Sequence, residues 1–341
     1  MKLEHEIITL RTKNPFIIAR GGSSEYRVVR VTLTAKDGAT GWGEAAPSKF
    51  YGETADTIPA ALALFAPVLE RADAWALEDI EAELNRVVRW NAAAKSAVSA
   101  ALHDLAGKRL GIPVYRLLGL NPARAPLSSF TIAIAGADEM RRKVREAASY
   151  PILKIKLGSD HDEEMLRIIR EEAPNATVRV DANAAWTPKH TLNMMDCLVA
   201  HRVEFVEQPL PPHDLEGLRF VRERSPLPII ADESCLVAAD VARLAGVVDG
   251  INIKLAKCGG LREAMKMAAT ARAHGMLVMM GCMIESSLAI TAAAHLAPLL
   301  DYADLDGAAL LSDDPYIGAT IDGGVIALPD GPGLGVARAA R

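Results

Sequence analysis

The chain has 341 residues, half of them hydrophobic and 24% charged, with a formal net charge of −5. A chain of this size and composition is globular and buries a large core. Its weak acidity, with no basic run and no basic–aromatic interleaving, argues against nucleic acid as a partner. No apolar stretch reaches the ~18–20 residues of a membrane span without charge or a breaker, so no membrane association is expected. The N-terminus, Met1-Lys2-Leu3-Glu4-His5-Glu6, has no apolar signal core, and Cys197, Cys235, Cys258 and Cys282 are too scattered for a zinc or disulfide framework. A soluble, cytoplasmic protein is expected, and a homo-oligomer is left open.

Residues 2–10 alternate as a strand, a second strand covers about 15–20, and Tyr26 to Thr34 forms a third. Lys36-Asp37-Gly38 then turns the chain into a fourth, Thr40-Gly41-Trp42-Gly43-Glu44. After Pro47 the period becomes helical over 53–71, 76–88 and 91–109. Strands followed by helices predict an α+β domain over residues 1–120. Breakers between Gly119 and Pro126 mark a linker. From there to about residue 315, candidate strands near 127–134, 151–157, 176–181, 203–207, 228–232, 249–254, 276–282 and 302–306 alternate with seven helical stretches. This pattern predicts an α/β architecture of eight parallel strands, either a closed barrel or a doubly wound sheet. The Gly- and Pro-rich segment 316–341 is too short for another unit and is expected to return to the N-terminal domain.

Charged residues recur at the ends of these strands. Lys156, Asp181, Glu207, Asp232 and Lys254 follow one another at intervals of 25, 26, 25 and 22 residues, about the length of one strand–helix unit. The carboxyl ends of barrel strands are where such units carry chemistry. Asp181, Glu207 and Asp232 are hard oxygen donors suited to Mg²⁺, with Asn183 and Glu233 as expected orienting partners. Strand Ile152-Leu153-Lys154-Ile155-Lys156 places Lys154 and Lys156 on one face. Lys154 is expected to favour a neutral Lys156 by repulsion. Lys156 and Lys254, from strands four apart in the ring, would put a base on each side of a metal-held substrate. Lys257, in the sequence Ala256-Lys257-Cys258-Gly259-Gly260, competes with Lys254 for this role but is expected to be a solvated or phosphate-type loop lysine.

The Lys-Ile-Lys of 154–156, Val-Asp-Ala-Asn of 180–183, Val-Glu-Gln-Pro of 206–209, Ala-Asp-Glu-Ser of 231–234 and Asn-Ile-Lys-Leu of 252–255 together resemble the enolase superfamily, in its muconate-lactonising subgroup. The resemblance spans essentially the whole chain. It implies a (β/α)7β TIM-type barrel with an N-terminal capping domain, Mg²⁺, abstraction of an α-proton by lysine, and an enediolate intermediate. Leu277 to Ile284 offers no histidine, which sets aside the histidine-based branches. Asp304 and Asp306 share one face of the eighth strand and resemble the Asp-x-Asp motif with which dipeptide epimerases hold a substrate ammonium. Ile18-Ala19-Arg20-Gly21 resembles the mobile loop of L-Ala-D/L-Glu epimerases, whose arginine meets the glutamate side chain. Lys154, Thr131 and Glu285 are further candidate substrate contacts. The resemblance thus implies a dipeptide substrate, L-Ala-D/L-Glu from murein peptides first among them. The alternatives are o-succinylbenzoate synthase or N-succinylamino acid racemase, which have no evident need of Asp304 and Asp306, and a non-catalytic binding barrel.

Overall fold

A computed structural model describes residues 1–340. The chain opens with an antiparallel sheet of β1 (Lys2–Ile18), β2 (Gly21–Thr34) and β3 (Thr40–Ala45). The first two expected strands are therefore one: the chain runs through Pro15, and the pairing with β2 shifts register between Arg11 and Phe16. Proline cannot donate to a ladder, so an irregularity absorbs it without ending the strand. Three helices follow, α1 (Ile58–Arg71), α2 (Leu77–Val87) and α3 (Ala92–Leu110). In α3 every residue from Ala93 to Gly107 is buried. An alanine-rich helix buried on all sides belongs between layers, and α3 accordingly packs on β3 and on the barrel helices.

After the short α4 (Val114–Leu117), the barrel strands and helices alternate: β4 (Phe130–Ile132), α5 (Ala137–Glu146), β5 (Ile152–Lys156), α6 (Asp162–Glu172), β6 (Thr177–Asp181), α7 (Pro188–Ala200), β7 (Val203–Glu207), α8 (Leu215–Arg222), β8 (Ile229–Ala231) and α9 (Ala238–Leu244). They continue with β9 (Gly250–Ile253), α10 (Leu255–Cys258), α11 (Leu261–Ala273), β10 (Leu277–Gly281), α12 (Ser287–Ala294) and β11 (Tyr302–Asp304). The eight strands β4 to β11 pair in parallel in chain order, so the sheet is a barrel and not doubly wound. A parallel bridge between Ser128 and Ala303, with Ser129 N–H donating to the Ala303 carbonyl at 3.0 Å, closes first strand to last. The register puts Lys156 beside Asp181 and Asp181 beside Glu207.

Two large apolar clusters divide the core. The barrel cluster lies between strands and helices, while the N-terminal cluster also takes in Ala256, Ile284 and Leu311 from the barrel mouth. The C-terminal segment lies along both units: Leu334 N–H donates to Asp104 of α3 at 2.8 Å, and Ser128 N–H donates to Gly324 at 2.8 Å. Among the described residues no helix is long and apolar enough to cross a membrane.

Candidate active site

The register brings Asp181, Glu207 and Asp232 together at the barrel mouth, all fully buried, with one carboxylate oxygen from each within 4.8 Å of the others. Their orientation is fixed from neighbouring strands. Asp181 accepts the Asn183 backbone N–H at 2.8 Å and its amide at 3.1 Å. Glu207 accepts the Asn252 amide at 2.7 Å. Asp232 accepts both Lys254, at 2.8 Å, and Lys257. The chain leaves β6 and β7 through Asn183, Ala184 and Gln208, three non-glycine residues in the left-handed region. Such conformations persist only where the surroundings enforce them. Gln208 shows how: its carbonyl oxygen accepts the N–H groups of Asp232 and Ser234 at 2.8 and 3.1 Å, lacing the end of β7 to the end of β8.

Four lysines, Lys154, Lys156, Lys254 and Lys257, answer this negative charge. Lys156 lies 2.6 Å from Asp181 and Lys254 lies 2.8 Å from Asp232, on opposite sides of the ring. Gly281 makes room for the second, since a Cβ there would sit 3.2 Å from Lys254 Cε and against the Asn252 amide. Lys154 is completely buried one layer below, 2.7 Å from both Asp304 and Glu207 and 3.4 Å from Asp181. Its charge is therefore answered by carboxylates, and the repulsion expected between Lys154 and Lys156 is not the governing interaction. Burial opposes the charge on Lys154 and Lys254, but the surrounding carboxylates outweigh it and raise both above the ordinary lysine range. Burial likewise works against Asp181 and Asp232, and the lysines overcome it to hold both below the usual carboxylate range. Glu207, where burial and Asp181 act together, is pushed up to about 7.

Three expectations need correction, those for Lys257, Glu233 and Glu285. Lys257 is neither solvated nor in a loop. It sits on the one-turn α10, fully buried, and donates to the carbonyls of Asp232 (2.6 Å), Asn252 (3.0 Å) and Cys235 (3.2 Å) besides the Asp232 carboxylate. Glu233 orients no carboxylate of the triad; it pairs with Arg20 at 2.7 Å. Arg20 thus already carries one ion pair. It also donates to the Asn183 carbonyl at 2.6 Å and stacks 4.2 Å over Phe50. Glu285 is buried away from the cavity wall because Ser286, capping α12, draws the loop onto Glu44: Ser286 N–H and hydroxyl both donate to that carboxylate. Asn252, Gln208 and Lys257 also belong to the site. Only Asn252 carried a sequence signal, two residues before Lys254 on the inward face of its strand.

A cavity of about 820 Å³ lies between the barrel mouth and the N-terminal unit. Lys156, Lys254, Asp304, Asp306 and Thr131 line its floor, and Arg20 and Phe50 its roof. Thr131 joins the two aspartates: its N–H donates to Asp306 at 2.6 Å, and its hydroxyl lies 3.3 Å from an oxygen of each.

Fold and site define a barrel class in which strand-end carboxylates stand between opposed lysines beneath a separate cap. The chain belongs to the mandelate racemase/muconate lactonizing enzyme family of enolase-like proteins. The family's N-terminal domain matches residues 3–119, and the enolase C-terminal domain-like model matches residues 137–339. The L-Ala-D/L-Glu epimerase of Bacteroides thetaiotaomicron is 41% identical over 99% of this chain and 88% of its own length. Among solved structures, a substrate-liganded L-Ala-D/L-Glu epimerase from Bacillus subtilis superposes with a TM-score of 0.95 at 32% identity, covering both chains fully. A dipeptide epimerase from Enterococcus faecalis, complexed with Mg and L-Leu-L-Tyr, gives 0.94 at 33% identity over 99% of each chain.

Proposed function

We propose that the protein is a Mg²⁺-dependent dipeptide epimerase that moves the α-proton of the C-terminal residue from one face to the other, with L-Ala-D/L-Glu as the first substrate. The observation that carries this reading is the placement of Lys156 and Lys254 across one cavity that also holds Asp304 and Asp306.

Asp181, Glu207 and Asp232 fit a divalent ion. All three are hard donors, buried and mutually close, and Glu207 Oε2 has no aligned hydrogen-bond donor although Lys154 Nζ lies 2.7 Å away. Bound Mg²⁺ would stabilise negative charge on the substrate carboxylate as the α-proton leaves. The chain's own residues do the rest. A lysine on one face takes the α-proton while the lysine on the other delivers one, which inverts the centre. Asp304 and Asp306 supply the negative charge that recognises a free amino terminus. Arg20, a third of whose side chain stays exposed, is placed to receive a side-chain carboxylate from the roof.

One observation favours a second specificity: Glu233 already neutralises Arg20, and Phe16, Ile18, Phe50 and Leu310 give the roof an apolar lining. An apolar second residue, like the tyrosine in the Enterococcus faecalis complex, suits that surface.

The test is solvent-deuterium exchange at the dipeptide α-carbon, followed by NMR with L-Ala-L-Glu and L-Ala-D-Glu. Lys156→Ala should lose exchange for one epimer and Lys254→Ala for the other. Identical patterns in the two variants would reject the two-base mechanism. Wild-type protein that exchanges neither L-Ala-Glu epimer nor L-Leu-L-Tyr would reject the epimerase reading.

A further inference from the structure

Buried polar atoms without a partner are few in this chain, and they are not scattered. Among the described residues seven side-chain atoms are buried with no aligned hydrogen bond, and five of them are oxygens around the carboxylate ring: Asn183 Oδ1, Glu207 Oε2, both oxygens of Glu233, and Asn252 Oδ1. Acceptors buried without donors are costly, so five in one place mark an unmet demand for hydrogens or for a cation. Glu207 belongs to the triad and faces the ion. Asn183 and Glu233 do not belong to it, and both line the cavity.

Chemistry fixes which way Asn183 points. The Asp181 carboxylate can only accept, so the atom 3.1 Å from it is the amide nitrogen, and Oδ1 is the end left over. The residue is held there in the left-handed region, at φ +45°, with its backbone N–H donating to Asp181 and its carbonyl accepting from Arg20. A strained backbone next to a reactive centre points to a function for the side chain it aims. Glu233, whose side chain is 1% exposed, lies 2.7 Å from the other terminal nitrogen of that same guanidinium. One planar fork therefore spans the two residues and sets them side by side. Glu233 is outside the group of carboxylate oxygens that gather within 4.8 Å, which leaves it one layer further from the ion than its neighbour Asp232.

Mg²⁺ sheds water reluctantly and keeps some of it even when carboxylates hold the ion. Such a water turns its lone pairs to the metal and its two hydrogens outward, where they need acceptors. From the placement of the orphaned oxygens we infer that Asn183 Oδ1 and the Glu233 carboxylate receive the two hydrogens of a water on the metal ion. They are positioning residues, and they fix which coordination site stays with water and which are left to the substrate. The inference rests on the reading that the triad binds Mg²⁺, and on no other part of the epimerase assignment.

Four proteins test it: wild type, Glu233→Gln, Glu233→Met and Asn183→Ala. Each is loaded with Mn²⁺, a paramagnetic ion with the same taste for oxygen ligands. Calorimetric titration reads metal affinity, and water-proton relaxation reads the residence time of the slowest coordinated water. Both Glu233 variants remove the ion pair with Arg20, but only glutamine keeps an acceptor oxygen. Glu233→Met and Asn183→Ala should each shorten the residence time about tenfold, the loss of one strong hydrogen bond, whereas Glu233→Gln should stay within about threefold of wild type. Asn183→Ala, which adds no bulk to the site, decides the matter if Glu233→Met does not fold. Equal shortening in Glu233→Gln and Glu233→Met would make the effect one of charge and overturn the inference. A wild-type residence time in Glu233→Met or in Asn183→Ala would overturn it too. Metal binding by the wild type upholds the triad reading in each of these cases. If wild type binds neither Mn²⁺ nor Mg²⁺, that reading falls and the inference falls with it.

Discussion

At the residue scale, the triad and its two opposed lysines were legible because one strand–helix unit repeats at near-constant length. Each repeat delivers its last inward residue to the same ring. The side chains that aim them were not legible, because they reach across strands that are remote in sequence. Asn252 lies 45 residues from the Glu207 it holds, and Lys257 lies 25 from Asp232. No local pattern reports such a bond. Residues that orient metal ligands typically matter 10–100-fold in metal affinity. Asn252→Ala and Lys257→Met should therefore each weaken Mg²⁺ by about that range while far-ultraviolet circular dichroism stays that of the wild type. Calorimetric titration checks this, and a wild-type affinity in either variant would make that side chain a passive filler.

At the element scale, α3 decides how the cap meets the barrel. The sequence showed the helix but not that every face of it is buried, since alanine-rich helices look alike whether they line a surface or fill a layer. The explanation lies in β3. A Cβ on Gly41 or Gly43 would collide with the backbone carbonyls of Ala101 and Ala97, so strand and helix touch almost backbone to backbone. Gly43→Val should cost roughly 1–3 kcal/mol or more through overpacking, visible as a lower urea midpoint, whereas Gly38→Asn, at a turn glycine with φ +84° and open space around it, should cost much less. Equal losses would mean that the close approach is unimportant. The first strand likewise runs further than its local pattern indicates, because pairing with β2 resumes at Phe16 beyond the register shift and carries the strand on.

Over the whole molecule, buried carboxyl groups make stability depend on pH. Burial first, and Glu44 second, push Glu285 up to about 8; burial, opposed by Ser286, pushes Glu44 up to about 7. Both values lie above the ordinary 4.5, so between those limits the folded chain holds protons that the unfolded chain has released. Their contribution is complete below about pH 4.5 and is lost as pH rises through 7 to 8. The melting temperature of the metal-free protein should fall from pH 6 to pH 9, and Glu285→Gln should flatten that fall. Scanning calorimetry at a series of pH values gives the comparison, and parallel curves would show that Glu285 does not titrate in this window.

The bridge between Ser128 and Ala303 has a consequence for how the protein comes into being. The candidate metal ligands arise from the ends of three consecutive strands in the middle of the barrel. The groups proposed to hold the substrate amine lie across the seam, where Asp306 accepts the N–H of Thr131, 175 residues away. Contacts of such long range form late, because the entropy of closing the loop between them is lost before they are gained. On a growing or refolding chain, the triad can gather while the last strand is still absent, but a pocket for a dipeptide exists only once first strand meets last. A barrel stalled before that point could take up a cation while remaining blind to its substrate, so recovery of dipeptide binding reports completed folding where recovery of metal binding does not.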